Sequence, residues 1–133
     1  MSGTNKTLVR RYYAEVTGDL SGIGQVVSDT FVDHHMPPDL PPGPAGVRRF
    51  FKDILGGIFS GMEIEIGCML AEGDKVDCHF VVTVKHIGEF AGIQPKGNVI
   101  HLPAISTFRI ENGKLAEAWE IYDKDSMLQQ MRA

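Results

Sequence analysis

The run Ile110-Glu111-Asn112-Gly113-Lys114-Leu115 constrains this chain more tightly than any other six residues in it. Asn-Gly is the preferred central pair of a type I′ turn, whose twist matches that of the strands it joins. With Glu111 paired to Lys114, facing positions sum to 225. Ile110 then opposes Leu115, Phe108 opposes Glu117, Ser106 opposes Trp119 and Leu102 opposes Asp123. Cross-strand partners share a sheet face. This register therefore places Glu117, Trp119 and Asp123 on the side of Ile100, Leu102, Ala104 and Phe108. An acid on such a face either costs stability or performs chemistry. Asp123 also precedes a short helical stretch, where Asp is a favoured N-cap. Capping and general-base chemistry are its two open readings.

Upstream, Leu8, Val9, Tyr12, Tyr13 and Val16 recur at helical spacing, which predicts a helix over 4–17. A short helix over 21–27 follows, with Ser21 as its cap. Phe31-Val32-Asp33-His34-His35 reads as a brief strand. Residues 36–44 hold five of the seven prolines and predict a stiff, exposed connection. The next helix, to about residue 59, is expected to bury Val47, Phe50, Phe51, Ile54, Leu55 and Ile58. Strands are predicted over 62–71, 75–87, 98–111 and 114–123, then a terminal helix over 124–131. Helices followed by long antiparallel strands describe an α+β domain, one unit spanning residues 1–133, with helices packed on one sheet face. Gly88 with Gly92, and the mid-strand Pro103, predict bulges that curl the sheet into a cone. An apolar cone with a few polar groups is a small-molecule pocket.

Net charge is −4, and no basic cluster exceeds Arg10-Arg11 or Arg48-Arg49, which argues against nucleic acid or an anionic membrane as partner. No apolar run approaches the ~20 residues of a membrane span. The opening residues lack the apolar stretch of a secretory signal, so a cytoplasmic location is expected. Alternation along the first two long strands places Cys68 and Cys78 near each other as reduced core residues.

His86 continues the even-numbered apolar row of its strand. It is either a core histidine or a hydrogen-bond donor to a substrate carbonyl. His34 and His35 face opposite ways, so one at most enters the pocket. His101 has the wrong parity unless a bulge at Pro103 turns it inward. Trp119 is expected to line the pocket, one of Tyr12 and Tyr13 to close its mouth, and Arg109 to face solvent. No histidine or cysteine pair has zinc-motif spacing, so no metal is expected.

Three strings in order, Gly73-Asp74-Lys75-Val76, His86 to Gly97 and Phe108 to Trp119, precede Asp123 and Gln130 and follow Val32-Asp33-His34. Together they resemble the SnoaL-like polyketide cyclase family, within the nuclear-transport-factor-2-like (cystatin-like) superfamily. Two places depart from the family pattern: Pro95-Lys96-Gly97, where Pro-Thr-Gly is frequent, and Ser60-Gly61, where Pro-Asp is usual. The resemblance implies a strongly curved antiparallel sheet forming a cone, with N-terminal helices on its concave face. It implies acid–base chemistry without metal or cofactor, closing a ring of a bulky apolar carbonyl compound by an intramolecular aldol step. Asp123 matches the family's acid by position, and His86 is taken as donor to the enolate. The resemblance selects His34 for the pocket. His101, Trp119, Tyr12 and Phe50 complete the expected substrate-binding set, and a homodimer paired through the outer sheet face is expected. The alternatives are a non-catalytic carrier of a hydrophobic metabolite, or an isomerase, hydrolase or hydroxylase partner using the same pocket.

Overall fold

Leu8, Val9, Tyr12, Tyr13 and Val16 form one buried stripe on α1 (Ser2–Val16) in the computed structural model, which describes residues 2–133. Then follow α2 (Ile23–Val26), β1 (Val27–Asp33), α3 (Pro44–Arg48), β2 (Phe59–Glu72), β3 (Lys75–His86), β4 (Val99–Glu111), β5 (Lys114–Tyr122) and α4 (Lys124–Arg132). The expected cap of α2 does not form: Gly22 holds that position with no side-chain cap bond. Its N–H donates to Glu15 Oε1 at 2.8 Å. α3 runs on into a π-helical turn over Arg49–Ile54 and a 3₁₀ turn over Leu55–Gly57. Of the apolar residues expected to be buried there, only Val47 is fully so; the others stop half-covered along a hollow.

The sheet order is β1-β5-β4-β3-β2. β2 to β5 pair antiparallel, whereas β1 lies parallel to β5, so the sheet is mixed rather than wholly antiparallel. It is curled and unclosed, with helices on its concave side, as the α+β cone expectation required. Tyr12 and Tyr13 dock α1 onto that side, with ring centroids 5.3 Å from Phe108 and 4.9 Å from Phe80 respectively. Burying such a side chain contributes ~1.5–3 kcal/mol.

The curl does not come from Pro103. β3 and β4 pair without interruption, Val81 facing Pro103. The breaks lie instead between Ser60 and Glu63 and between Ile66 and Cys68 on β2, and beside Ile110 where β5 carries one extra residue. The Asn-Gly turn forms as expected, with φ of 53° and 75°, and Ile110 faces Leu115. Arg109, however, faces Glu117, so Ala116 is a bulge. A one-residue slip sends every later side chain to the opposite face. The same effect at Gly67 leaves Cys78 buried and turns Cys68, expected in the core, to solvent.

Pro103 nonetheless acts on the fold. His101 directs its N–H and C=O toward the β5 side, where the Gln130 side chain meets both at 2.8 Å. Alternation points position 103 the same way, but proline has no N–H to offer there. β5 stops one partner short, at Tyr122 opposite Ala104. The chain turns into α4, and the Gln130 amide continues the ladder in place of a strand.

Candidate active site

Beyond the Ala116 bulge, Ala118, Glu120 and Tyr122 face the concave side, and Glu117, Trp119, Ile121 and Asp123 the convex side. Ser106 therefore opposes Glu120, not Trp119. β1 delivers Asp33 beside Ala118, and the turn after it brings His35 inward. The three polar side chains line a cavity of about 330 Å³ whose other walls are largely apolar, among them Tyr12, Phe50, Phe51, Phe80, Leu102 and Met127. Phe50 and Phe51 reach it together because the π-helical turn sets consecutive rings on one side, 5.2 Å apart and edge to face.

His35 Nε2 lies 3.1 Å from Glu120 Oε2. Ser106 Oγ donates to Glu120 Oε1 at 3.1 Å, and the His35 backbone N–H donates to Asp33 Oδ1 at 2.9 Å. The Tyr122 ring meets the His35 imidazole edge-on, 4.9 Å away. Burial raises the Glu120 carboxyl above the ordinary range, opposed by the Ser106 hydrogen bond. Burial also raises Asp33 to about 6, with the nearby Glu120 charge adding to it and the His35 N–H opposing. Burial lowers the His35 imidazole, so it is neutral near pH 7. The imidazole edge therefore lies beside the Glu120 carboxylate without a hydrogen bond between them, and Ser106 is the side-chain donor to that carboxyl. Burial, and next to it Asp33, holds the Tyr12 phenol protonated, which keeps its hydroxyl a donor.

The expected site residues divide sharply. Tyr12 and Phe50 line the cavity. Asp123 does not: its side chain is exposed and caps α4, accepting from the Ser126 N–H at 3.0 Å. The capping reading of its geometry is the one realised, because the bulge reversed its face. Trp119 is 37% exposed and stacks on His34, centroids 5.2 Å apart. His34, selected over His35, points outward to Glu117 at 2.6 Å. Glu117, expected inside, is instead held by His34 and by Arg109 Nε at 2.9 Å. Their hydrogen bonds depress its carboxyl. His101 stays outside, 3.1 Å from Thr83 Oγ1, since no bulge forms at Pro103. His86 is fully buried but lies off the cavity wall, its Nε2 spent on the Gly88 carbonyl at 2.6 Å. Its Nδ1 has no partner among the described residues.

Sequence reasoning missed Glu120, His35 and Asp33 as site residues. A signal was present: Trp119-Glu120 and His34-His35 are adjacent pairs, and in each the neighbour of the residue expected inward is the one that lines the hollow. Among the described residues, no group of three or more His, Cys, Asp or Glu side chains is arranged to hold a metal, and no helix is long and apolar enough to cross a membrane.

A profile of the family described as SnoaL-like polyketide cyclase matches residues 7–131. No curated protein matches the chain. Among solved structures, AclR, a candidate hydroxylase from Streptomyces galilaeus, is 26% identical, with a TM-score of 0.80 over 98% of this chain and 97% of that one. IdmH, a candidate polyketide cyclase from Streptomyces antibioticus, is 24% identical, with a TM-score of 0.77 over 97% and 99%. TsrD from Streptomyces laurentii shares 19% identity and a TM-score of 0.84 over 97% and 95%. The last two likenesses carry the fold alone.

Proposed function

This chain belongs to the SnoaL-like polyketide cyclase family, and from that premise we propose that it is an acid–base enzyme closing a ring of a bulky apolar carbonyl compound by an intramolecular aldol step, with Glu120 as general base. The observation that carries this reading is one carboxylate, Glu120, which accepts the Ser106 hydroxyl hydrogen at Oε1 and has the His35 ring nitrogen 3.1 Å from Oε2, at the wall of a largely apolar hollow. A base there is partly stripped of water, which raises its basicity toward the working pH. It takes a proton from a carbon next to a carbonyl. The Tyr12 phenol, buried and protonated, is the donor facing the resulting enolate. Such a base supplies ~10²–10⁴-fold and one oxyanion donor ~10²–10³-fold. These steps draw on side chains alone, without a cofactor.

The base is testable without knowing the natural substrate. Proton–deuterium exchange at the α-carbon of 1-tetralone, followed by NMR in D2O, reports carbon deprotonation directly. Wild-type protein is expected to accelerate exchange, and Glu120→Gln to lose about 100-fold of that acceleration. Exchange by Glu120→Gln within twofold of wild type would sink the assignment.

A second reading rests on the likeness to AclR. The same base would then assist attack of water or addition of oxygen to the bound compound, and label from ¹⁸O-water or ¹⁸O₂ in the product separates it from ring closure. In both readings we take the protein as a homodimer. Ile105, Trp119 and Ile121 are exposed together on the outer sheet face, Ile121 by 77%. A monomer mass in sedimentation at micromolar concentration overturns that.

A further inference from the structure

Asp33 is a second carboxyl in the hollow, and base chemistry by Glu120 leaves it without a task. We propose that Asp33 is the general acid of ring closure, delivering its proton to the oxygen of the carbonyl that is attacked. This rests on the reading of Glu120 as base and goes beyond it by assigning the opposite half of the reaction.

The geometry separates the two carboxyls. Glu120 accepts the Ser106 hydroxyl hydrogen at Oε1, a bond that favours the anion, and has the His35 imidazole 3.1 Å from Oε2. Asp33 is held through Oδ1 only, by a backbone N–H; among the described residues Oδ2 has no hydrogen-bond partner and is free to carry a proton. Two carboxyls in one hollow disfavour each other's ionisation, so the pair settles with Glu120, which has the Ser106 hydroxyl and the His35 ring beside it, charged and Asp33 protonated. Paired titratable groups whose surroundings differ in this way divide acid and base roles. Burial and the Glu120 charge hold Asp33 protonated up to about pH 6. The other titratable groups facing it are His34 and His35 on its own segment and Tyr12 from α1.

Asp33 alone of the three also lines a separate groove of about 420 Å³ under the proline-rich connection, with Met36, Pro37, Leu40 and Pro41. It can therefore exchange protons with solvent on that side while a ligand fills the hollow.

The step balances. Glu120 takes the proton from the nucleophilic carbon, and the pair of that C–H bond forms the new carbon–carbon bond at the carbonyl carbon. The carbonyl π pair moves to its oxygen, which accepts the Asp33 proton and becomes a hydroxyl. Glu120 ends protonated and Asp33 ionised. The proton on Glu120 is then lost to water and one is regained at Asp33, leaving a net isomerisation.

The test uses one probe, 1-phenyl-1,5-hexanedione, with two readouts: deuterium exchange at its α-carbons and formation of the cyclised aldol. Asp33→Asn keeps the Oδ1 acceptor for the His35 N–H. It is expected to leave exchange within threefold of wild type while closure falls about 100-fold. The alkaline fall of the wild-type closure rate should vanish with it, and Asp33→Glu should recover part of the closure. The proposal is overturned if exchange and closure fall together in Asp33→Asn, if neither falls, or if wild type exchanges without closing. Failure of the base assignment is distinct: it shows as unimpaired exchange in Glu120→Gln.

Discussion

Ser106 faces Glu120 across the β4–β5 ladder and donates its hydroxyl hydrogen to Glu120 Oε1 at 3.1 Å. The pairing exists because Ala116 is an extra residue in β5. Without the bulge, Ser106 would face Trp119 and the hollow would hold an indole in place of a carboxylate. One inserted position near the hairpin turn thus decides the chemistry of a wall some four residues further on.

Ser106 opposes the effect of burial on Glu120, so Ser106→Ala should raise the Glu120 pKa further. The base works only when ionised, and activity falls as pH drops through its pKa. Raising that pKa moves the acid limb of kcat/KM for α-proton exchange to higher pH. A limb unmoved, or moved to lower pH, counts against Ser106 as the group that tunes the base.

Asp33 carries a stability consequence that needs no substrate. Its pKa rises from 3.8 to about 6 on folding. The stability linked to it is therefore fully present below the unfolded value and lost as pH rises through the folded one. A rise of that size corresponds to about 3 kcal/mol. Asp33→Asn removes the titrating group. Relative to wild type it should gain about 2–3 kcal/mol between pH 3.5 and pH 7, measured by urea denaturation at the two values. An equal difference at both would show that the carboxyl is not desolvated.

Asp123 is the opposite case. It accepts from Ser126 N–H at the first turn of α4, so Asp123→Ala should cost about 1 kcal/mol of stability and Asp123→Asn less than half of that. Neither should change the α-proton exchange rate by more than twofold. A loss of about 100-fold in Asp123→Asn, with the fold intact, would return the catalytic role to this residue.

Much of the architecture is legible in the chain. The α1 stripe, the proline-rich connection, the four long strands and the Asn112-Gly113 turn all form where local pattern places them, because each rests on spacing or backbone geometry confined to a few residues. The identity of the site is not legible in this way. Asp123 and Trp119 are read inward by assuming that the ladder near the turn runs on unbroken, His101 by a bulge at Pro103 that does not form, and His34 by resemblance alone. His86 is read as a donor although its ring nitrogen is taken by the Gly88 carbonyl.

What the chain determines alone is therefore the order of elements, the apolar rows and the presence of acids and histidines near the ends of β1 and β5. Tertiary structure decided which of them look inward. The bulge at Gly67 has a mid-strand glycine to mark it, but the one at Ala116 leaves no local mark; it forms where Phe108, Ala118 and the rings of α1 pack best across several strands at once. A register is chosen by that sum of packing, and each choice carries Glu120 and His35 inward only by carrying Trp119 and His34 out.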